Sequence, residues 1–276
     1  DEGMSKKKYY VKQGSKIKTL TQSEVLDLFH EPKREKRKEA ALAITKGLNE
    51  DLNLLTFIAN TLADDKRIND KYFKFKNAFD SRHLDNEVEP KVVQTMVDTI
   101  VKNYKIVEDF YLFKAKVLKL NKLETYDLYA PVTSSRKKVD FDKAQQIVLA
   151  AFKEFNEKYF FAGKEFFDKG WIDVLPKDGK RGGAFCDYGL PNHHPYILLN
   201  YTNNLRQVLT LAHELGHGIH ARFFKNQPLL NFDTPLTIAE TSSVFAEILV
   251  FDNLKKQITN KKELFPLYMG KIEDTF

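Results

Sequence analysis

Apolar residues recur at steps of three and four over most of the N-terminal half, the spacing that places them on one face of an α-helix. Thr21 and Glu24 form the capping-box pattern, a Thr followed three residues later by a Glu, which predicts a short helix after Thr21. Three longer helices are predicted over residues 32–62, 90–120 and 140–159. The polar run 64–70 is predicted to break the first of these.

The pattern changes after Gly170. Residues 171–174 predict a short extended segment, and the apolar stretches 184–188 and 196–200 predict two strands. The turn-forming residues between them predict that the loop 189–195 joins these two strands into a hairpin.

Helical spacing returns at residues 205–225 and again in the segment that follows Pro235. Asp233 or Thr234 is the predicted N-cap of this last segment, with Pro235 in the first turn, where a missing N–H is tolerated. The chain is therefore predicted to be mainly α, with a small β-hairpin or sheet before the helix at 205–225.

Composition narrows the class of protein. Hydrophobic residues make up 42% of the 276 positions, enough to build a sizeable core. The formal net charge is +6, but even the densest basic run, 33–39, alternates with acids, as on the solvated face of a helix. No stretch of eighteen apolar residues exists, and the one cysteine, Cys186, cannot form an internal disulfide. We therefore expect a cytoplasmic protein with neither a nucleic-acid nor a membrane partner; the oligomeric state stays open.

An aromatic cluster lies among lysines in the segment 71–81. Tyr72, Phe73, Phe75 and Phe79 suit either base stacking or packing beneath the apolar stems of the lysines. We predict packing, because the surrounding charge pattern does not favour nucleic acid.

The chemistry is concentrated in the helix at 205–225. His213, Glu214 and His217 form the pattern H-E-x-x-H, and residues four apart lie on the same face of a helix. Two imidazole nitrogens on one face suit Zn²⁺, which leaves a coordination position open for water in catalytic sites. Glu214 lies beside that position and is the predicted general base.

A third metal ligand is predicted in the following helix. Glu240 lies 23 positions after His217, so a helix–loop–helix hairpin can bring its carboxylate to the two imidazoles. Glu247 lies seven residues further along the same face and is a candidate partner for the outer nitrogen of a ligating histidine. A plain salt bridge is an equal alternative for Glu247. The sequence thus predicts one Zn²⁺ held by His213, His217 and Glu240.

The strand before this helix is a candidate for substrate binding. An edge strand beside a metal can hold an extended peptide by main-chain hydrogen bonds. Ala184 and Phe185 are therefore predicted to bind the substrate. Gly182 and Gly183 allow a substrate backbone to come close. An ordinary hairpin with a flexible approach explains the same residues.

Three further histidines are weaker candidates. His193 and His194 lie in the hairpin loop, where either can donate to a substrate or simply face solvent. His194 is kept as a substrate-binding candidate. His220 is predicted to pack or to support the site, because two histidines and a glutamate already complete the protein ligands.

Four segments together resemble a known family. Residues 182–186, 194–201, 210–217 and 234–241 resemble the oligoendopeptidase F group within the thimet-oligopeptidase family of zinc peptidases, and 126–131 is similar as well. The resemblance implies a helical zincin-type fold, in which a deep channel lined by the small sheet admits short peptides and excludes folded proteins. It matches His213, His217 and Glu240 to the metal ligands and Glu214 to the general base.

The resemblance also implies a division of the chain. Residues 1–130 correspond to a helical part of the channel wall, and 131–276 correspond to the zinc-binding catalytic region. The family carries further Tyr and His residues downstream that stabilise the oxyanion, and no such pattern follows Glu247. We therefore expect an internal fragment of a longer enzyme, truncated at its C-terminus.

The predicted function is hydrolysis of internal bonds in short oligopeptides by zinc-activated water with Glu214 as general base. Two alternatives remain. H-E-x-x-H does not distinguish an endopeptidase from a zinc carboxypeptidase. A non-catalytic peptide-binding module is the other, although such a module has no use for Glu214.

Overall fold

The computed structural model describes residues 2–133 and 138–275. Helices dominate these residues, which confirms the prediction of a mainly α fold. In chain order the helices are α1 (Glu2–Ser5), α2 (Gln22–Asp27), α3 (Arg34–Glu50), α4 (Leu52–Tyr72), α5 (Asp80–Asp85), α6 (Pro90–Lys102), α7 (Tyr104–Val117), α8 (Phe141–Phe155), α9 (Glu157–Asp168), α10 (Leu205–Phe224), α11 (Leu236–Gln257) and α12 (Lys261–Thr275). Short 3₁₀ turns lie at Leu28–His30, Thr125–Asp127 and Leu229–Asn231.

Two small sheets complete the described fold. The first is a hairpin of β1 (Tyr9–Gln13) and β2 (Lys16–Leu20). The second has the order β3-β5-β4, formed by β3 (Ile172–Asp173), β4 (Phe185–Asp187) and β5 (Tyr196–Leu198). β4 runs antiparallel to β5, as the sequence predicts, and β3 runs parallel to β5 on its other side. Within the described sheet, β4 is therefore an edge strand.

The predicted helix 32–62 is wrong in its continuity and in its end. It consists of two helices that meet at Asp51, where the backbone leaves helical geometry at φ −106° and ψ 13°. The second helix, α4, then continues through 64–70 to Tyr72. Ion pairs one turn apart, such as Lys66–Asp70 and Asp64–Arg67, maintain the helix across this polar run.

Two other predicted helices are also divided. The segment 90–120 breaks at Asn103, between α6 and α7. The segment 140–159 begins after Asp140 as predicted but ends at Asn156, whose side-chain oxygen accepts hydrogen bonds from the N–H groups of Lys158 and Tyr159 at 2.8 and 3.3 Å. Asn competes for backbone hydrogen bonds and so ends one helix while it caps the next.

Most of the buried apolar residues that the structure describes belong to two clusters. The smaller one joins β1, β2, α2 and α3 through six residues, including Tyr9, Val25 and Ala40. The larger one joins α8 to α12 with β5, and Leu211, Leu215 and Ile219 of α10 are fully buried in it. The helix with the H-E-x-x-H pattern therefore lies at the centre of the main core.

The helices α4 to α7 contrast with both clusters. None of the residues of α4, α5 and α6 is buried, and α7 buries Lys114 and Ala115. Tyr72, Phe73 and Phe79 are 78%, 63% and 70% exposed, so the predicted packing of these aromatic residues is wrong. No helix in the described ranges has the length and apolar character needed to cross a membrane.

Candidate active site and metal centre

Helix α10 presents the candidate site from the centre of the core. The side-chain oxygen of Asn204 caps the helix by accepting the N–H of Gln207 at 3.1 Å. The apolar face of α10 packs into the core, and this leaves His213 and His217, four residues apart, on an adjoining face. Glu214 is buried, with 6% of its surface exposed.

A close approach of α11 to α10 brings the third candidate ligand to this face. A Cβ atom at Gly216 would lie 2.5 Å from the carbonyl oxygen of Ser242 and 2.7 Å from Cα of Ser243. Only glycine fits this contact, and it sets Glu240, one turn before Ser243, opposite the histidines. The predicted N-cap of α11 is wrong, because Pro235 itself occupies that position with an extended ψ of 145° and no side-chain cap.

Among the described residues, His213, His217 and Glu240 form a group whose potential ligand atoms all lie within 4.8 Å of one another. The Oε2 atom of Glu240 is 3.1 Å from Nε2 of His213 and 3.3 Å from Nε2 of His217. Ligands about 2.0–2.1 Å from a tetrahedral ion lie roughly 3.3 Å from each other. The spacing and the donor set of two imidazoles and one carboxylate therefore fit Zn²⁺.

Each of the three groups has a second contact that restrains it. Oγ of Ser243 donates to Oε2 of Glu240 at 2.6 Å. Nδ1 of His213 faces Oε2 of Glu247 at 3.5 Å, and the other oxygen of Glu247 bonds Lys271. The hydrogen bond to Glu247 raises the pKa of His213, whereas burial lowers the pKa of His217.

The outer nitrogen of His217 contacts a tyrosine. Nδ1 of His217 lies 3.2 Å from the hydroxyl oxygen of Tyr188, the residue that follows β4. Burial raises the pKa of Tyr188 to about 12, so the phenol is neutral at physiological pH.

Glu214 has the electrostatics of a proton acceptor. Burial raises its pKa to about 7; the charge of His213 opposes this rise and the charge of Glu240 adds to it. A bound divalent cation would lower the pKa again. A carboxylate whose pKa lies near the working pH is suited to take a proton and release it.

A cleft of about 460 Å³ opens beside these groups. His213, Glu214 and Glu247 line one part of it, and Ala184, next to β4, lines another. Its volume falls within the range of small-molecule and peptide sites, roughly 300–1,000 Å³. The cleft therefore extends from His213 and Glu214 to the start of the edge strand.

The approach to β4 is held in one conformation. Nδ2 of Asn200 donates to the carbonyl oxygens of Arg181 and Gly183 at 2.9 and 2.8 Å. Gly183 has φ +81°, a left-handed conformation that favours glycine, and the guanidinium of Arg181 lies 5.0 Å from the ring centre of Phe185. Ala184 thus lines the cleft, whereas Gly182, Gly183 and Phe185 shape the strand beside it.

The remaining histidines lie elsewhere. The ring of His194 stacks on Trp171, with centroids 4.0 Å apart and planes at 6°, and its Nδ1 bonds the carbonyl oxygen of Pro195 at 3.1 Å. His194 is not among the residues that line the cleft, and its role toward substrate stays a prediction. His220 packs against Phe224 at 4.8 Å, and burial lowers its pKa.

A model of peptidase family M3 matches residues 28–276, nearly the whole chain. The chain belongs to peptidase family M3. Together with the curated relatives that follow, this match confirms the resemblance to oligoendopeptidase F seen in the sequence.

Curated relatives agree with this assignment. The M3 chain is 29% identical to oligopeptidase PepF of Bacillus subtilis over 249 residues, which cover 89% of this chain and 37% of that protein. It is 31% identical to an oligoendopeptidase F homologue of Borreliella burgdorferi over 245 residues, or 86% of this chain and 41% of that protein. The chain thus spans about two fifths of the length of these relatives.

Solved structures share the fold of this M3 chain. A candidate oligoendopeptidase F from Bacillus anthracis superposes with a TM-score of 0.85 at 18% identity, over 98% of this chain and 50% of that one. PZ peptidase A, solved with an inhibitor, gives the same TM-score at 17% identity, over 98% of this chain and 48% of that one. At such identities the likeness concerns the fold alone.

Three residues contact the site residues although the sequence analysis does not identify them as part of the site. Ser243 follows Glu240 by three residues on one helix, a spacing that signals contact. Tyr188 and Lys271 lie 29 and 24 positions from the residues they contact, and no local pattern in the M3 chain indicates either contact.

Proposed function

We propose that this M3 chain carries the zinc-binding and proton-transfer part of an endopeptidase that hydrolyses internal bonds of short oligopeptides. The observation that carries the proposal is the convergence of His213, His217 and Glu240 beside buried Glu214 at an open cleft. The names of the relatives, oligopeptidase and oligoendopeptidase F, support the same class of substrate.

His213, His217 and Glu240 would hold the zinc ion. When bound there, zinc supplies Lewis acidity, which polarises the scissile carbonyl and makes water more acidic. Ser243 fixes the carboxylate of Glu240 by a hydrogen bond of 2.6 Å, and Glu247 faces the outer nitrogen of His213. These contacts reduce the freedom of the ligands before the ion binds.

Glu214 would act as the general base and then as the general acid. Its carboxylate takes a proton from the attacking water as the new C–O bond forms, and it passes the proton to the leaving amine as the C–N bond breaks. Its burial supports this role, because burial raises the pKa of Glu214 to about 7 and so makes the carboxylate a stronger base than an exposed glutamate.

The edge strand β4 would orient the substrate. In the described sheet its outer edge carries no partner strand, so an extended peptide can add to it by main-chain hydrogen bonds. Ala184 connects this edge with the cleft, and the hydrogen bonds from Asn200 hold the preceding residues in place. An internal segment of a peptide would then lie across the catalytic group.

We also place this reaction in the cytoplasm. The support is the single cysteine, Cys186, whose thiol is free and half-buried next to the site. Burial raises the pKa of Cys186 far above its usual value, which keeps the thiol protonated and inert.

The first test is the zinc content of the 276-residue chain, followed in the same sample by hydrolysis of a quenched oligopeptide. We expect one zinc per chain, and cleavage of a peptide with an amidated C-terminus as readily as of one with a free C-terminus. Cleavage of the free-ended peptide alone would contradict an endopeptidase.

Two variants separate metal binding from proton transfer. Glu214→Gln should keep zinc and lose activity by about 10²–10⁴-fold, whereas His217→Ala should lose zinc as well. Glu108→Gln on α7 and His83→Ala on α5 are the matched controls and should behave as wild type. Full activity in Glu214→Gln, or one zinc per chain in His217→Ala, would contradict the assignment.

A further inference from the structure

The two histidines of the metal group have outer partners of different charge. In both residues Nε2 faces Glu240 and Nδ1 points away from it. Nδ1 of His213 meets the carboxylate of Glu247 at 3.5 Å, whereas Nδ1 of His217 meets the phenol oxygen of Tyr188 at 3.2 Å. An imidazole that ligates through Nε2 carries its proton on Nδ1, so both outer contacts are positioned to accept that proton.

Tyr188 is itself held in place from several directions. It follows β4, and a tight turn comes directly after it, in which Gly189 has φ +65° and donates its N–H to Oδ1 of Asp187 at 2.8 Å. Its ring packs edge-on against Phe224, with centroids 5.6 Å apart. Phe224 packs in the same way against Phe232 at 5.1 Å. The hydroxyl therefore reaches His217 from a ring whose orientation is fixed.

We propose that Tyr188 is a positioning residue of the metal site, whose hydroxyl oxygen accepts the Nδ1 proton of His217 and keeps Nε2 directed at the ion. This inference rests on the proposed function, because it requires that His217 bind a metal. Nothing in the H-E-x-x-H pattern identifies this residue, which follows strand β4 and lies on neither ligand helix.

The phenol performs this task without adding charge to the site. Glu214, Glu240 and Glu247 already bring three carboxylates close to the two histidines. A fourth carboxylate at position 188 would raise the mutual repulsion of these groups. A neutral oxygen fixes the ring and the tautomer of His217 while the charge of the site stays the same.

The contact also connects the metal site with the substrate strand. Tyr188 follows directly on β4, the strand proposed to bind the peptide, so a displacement of this edge moves the partner of His217. The position of the edge strand and the orientation of one ligand are thereby linked through a single side chain.

The test is the zinc dissociation constant of Tyr188→Phe, measured by competition with a chromophoric chelator. This change removes the hydroxyl and keeps the ring against Phe224. Loss of an outer partner weakens metal binding by about 10–100-fold, and we expect the lower end because the phenol is neutral. Tyr10→Phe, at a 60% exposed tyrosine of β1, is the matched control and should leave the constant unchanged.

A spectrum distinguishes positioning from a general loss of structure. With Co²⁺ in place of zinc, the visible bands report ligand geometry; they should shift in Tyr188→Phe and stay unchanged in Tyr10→Phe. The circular dichroism of both variants should equal that of the wild type. A zinc constant within twofold of wild type and an unshifted cobalt spectrum would overturn the inference.

The zinc measurements show whether the proposed function or only the role of Tyr188 fails. If the wild-type chain binds no zinc, the proposed function fails and the role of Tyr188 fails with it. If the wild type binds one zinc per chain and Tyr188→Phe binds it equally well, only the role of Tyr188 is refuted.

Discussion

The region from α8 to α12 and the helices α4 to α7 both carry many large apolar side chains on helices, yet they bury very different fractions of these side chains. In the first region, Leu211, Leu215 and Ile219 of α10 are fully buried. In the second, Leu62, Met96 and Ile100 are 65%, 55% and 51% exposed, although they lie on the apolar faces of α4 and α6. The two regions therefore resemble each other in helical structure and apolar content but differ in packing.

The difference shows where the site obtains its rigidity. The candidate ligands His213 and His217 lie on α10, which is packed on several sides by α8, α9, α11 and β5. Such packing holds side chains to the narrow tolerance that a metal site requires. The α4 to α7 helices place no residue in the metal group. Substitutions at matched positions in the two regions should therefore have very different effects.

The largest effect on stability is expected at Asp127, in the 3₁₀ turn that follows α7 and contacts α3. This carboxylate is fully buried and accepts hydrogen bonds from Arg34 and Arg37 at 2.7 and 2.8 Å. Asp127→Asn should lower the free energy of unfolding by about 3–5 kcal/mol, because it leaves the buried guanidinium of Arg37 without its counter-charge. Urea unfolding measures this loss, and Asp98→Asn on α6, an exposed position, is the control.

The same residue gives a pH dependence with a defined sign. Burial opposes the ionisation of Asp127, but hydrogen bonds from Arg34, from the N–H of Glu124 and from Arg37 outweigh it and hold its pKa below the usual 3.8. Its contribution to stability is therefore present above pH 3.8 and lost as the pH falls through the lower folded-state pKa. Asp127→Asn should lack this acid-side loss; an identical loss in both proteins would contradict the assignment.

The next largest effect is expected at Leu211 in the larger of the two core clusters. Leu211→Ala removes a fully buried side chain and should cost about 2–5 kcal/mol, depending on how far the cavity collapses. The matched change Leu62→Ala on α4, where the side chain is 65% exposed, should cost far less. Equal losses in urea unfolding would show that the two regions do not differ in packing as described.

A smaller effect on stability is expected at Gly216, where α10 and α11 touch. A methyl group there would lie 2.5 Å from the carbonyl oxygen of Ser242, so Gly216→Ala must push the helices apart, at about 1–3 kcal/mol. Since Glu240 is on α11, zinc affinity should fall as well. Gly270→Ala on α12 is the control, because a Cβ atom added there would have no neighbouring heavy atom within 4 Å. This variant should lose neither stability nor zinc.

The smallest effect is expected at Ile100 on α6. Its side chain is 51% exposed, so Ile100→Ala should change the free energy of unfolding by no more than about 0.5 kcal/mol. A loss of several kcal/mol in thermal or urea unfolding would mean that this face of α6 is covered in solution. That result would remove the contrast between the two regions.

The sequence correctly predicts which segments are helical, but it does not predict where long helical segments break. The capping box at Thr21 and the start at Pro90 were correctly located, because both depend on residues within one turn. The breaks at Asp51, Asn103 and Asn156 were missed. The apolar spacing continues across each of them, so periodicity alone does not reveal where the chain changes direction.

The sequence by itself determined which side chains meet at the candidate site. His213 and His217 lie on one helix, so their spacing predicts a shared face, and the structure brings Glu240 of the next helix to them. Only the tertiary structure decided that Tyr188 contacts His217, that Lys271 contacts Glu247, and that α6 exposes its apolar face. The physical reason is the separation along the chain. Helix geometry is set by residues within a few positions of one another, whereas contacts between distant segments depend on how all the elements pack.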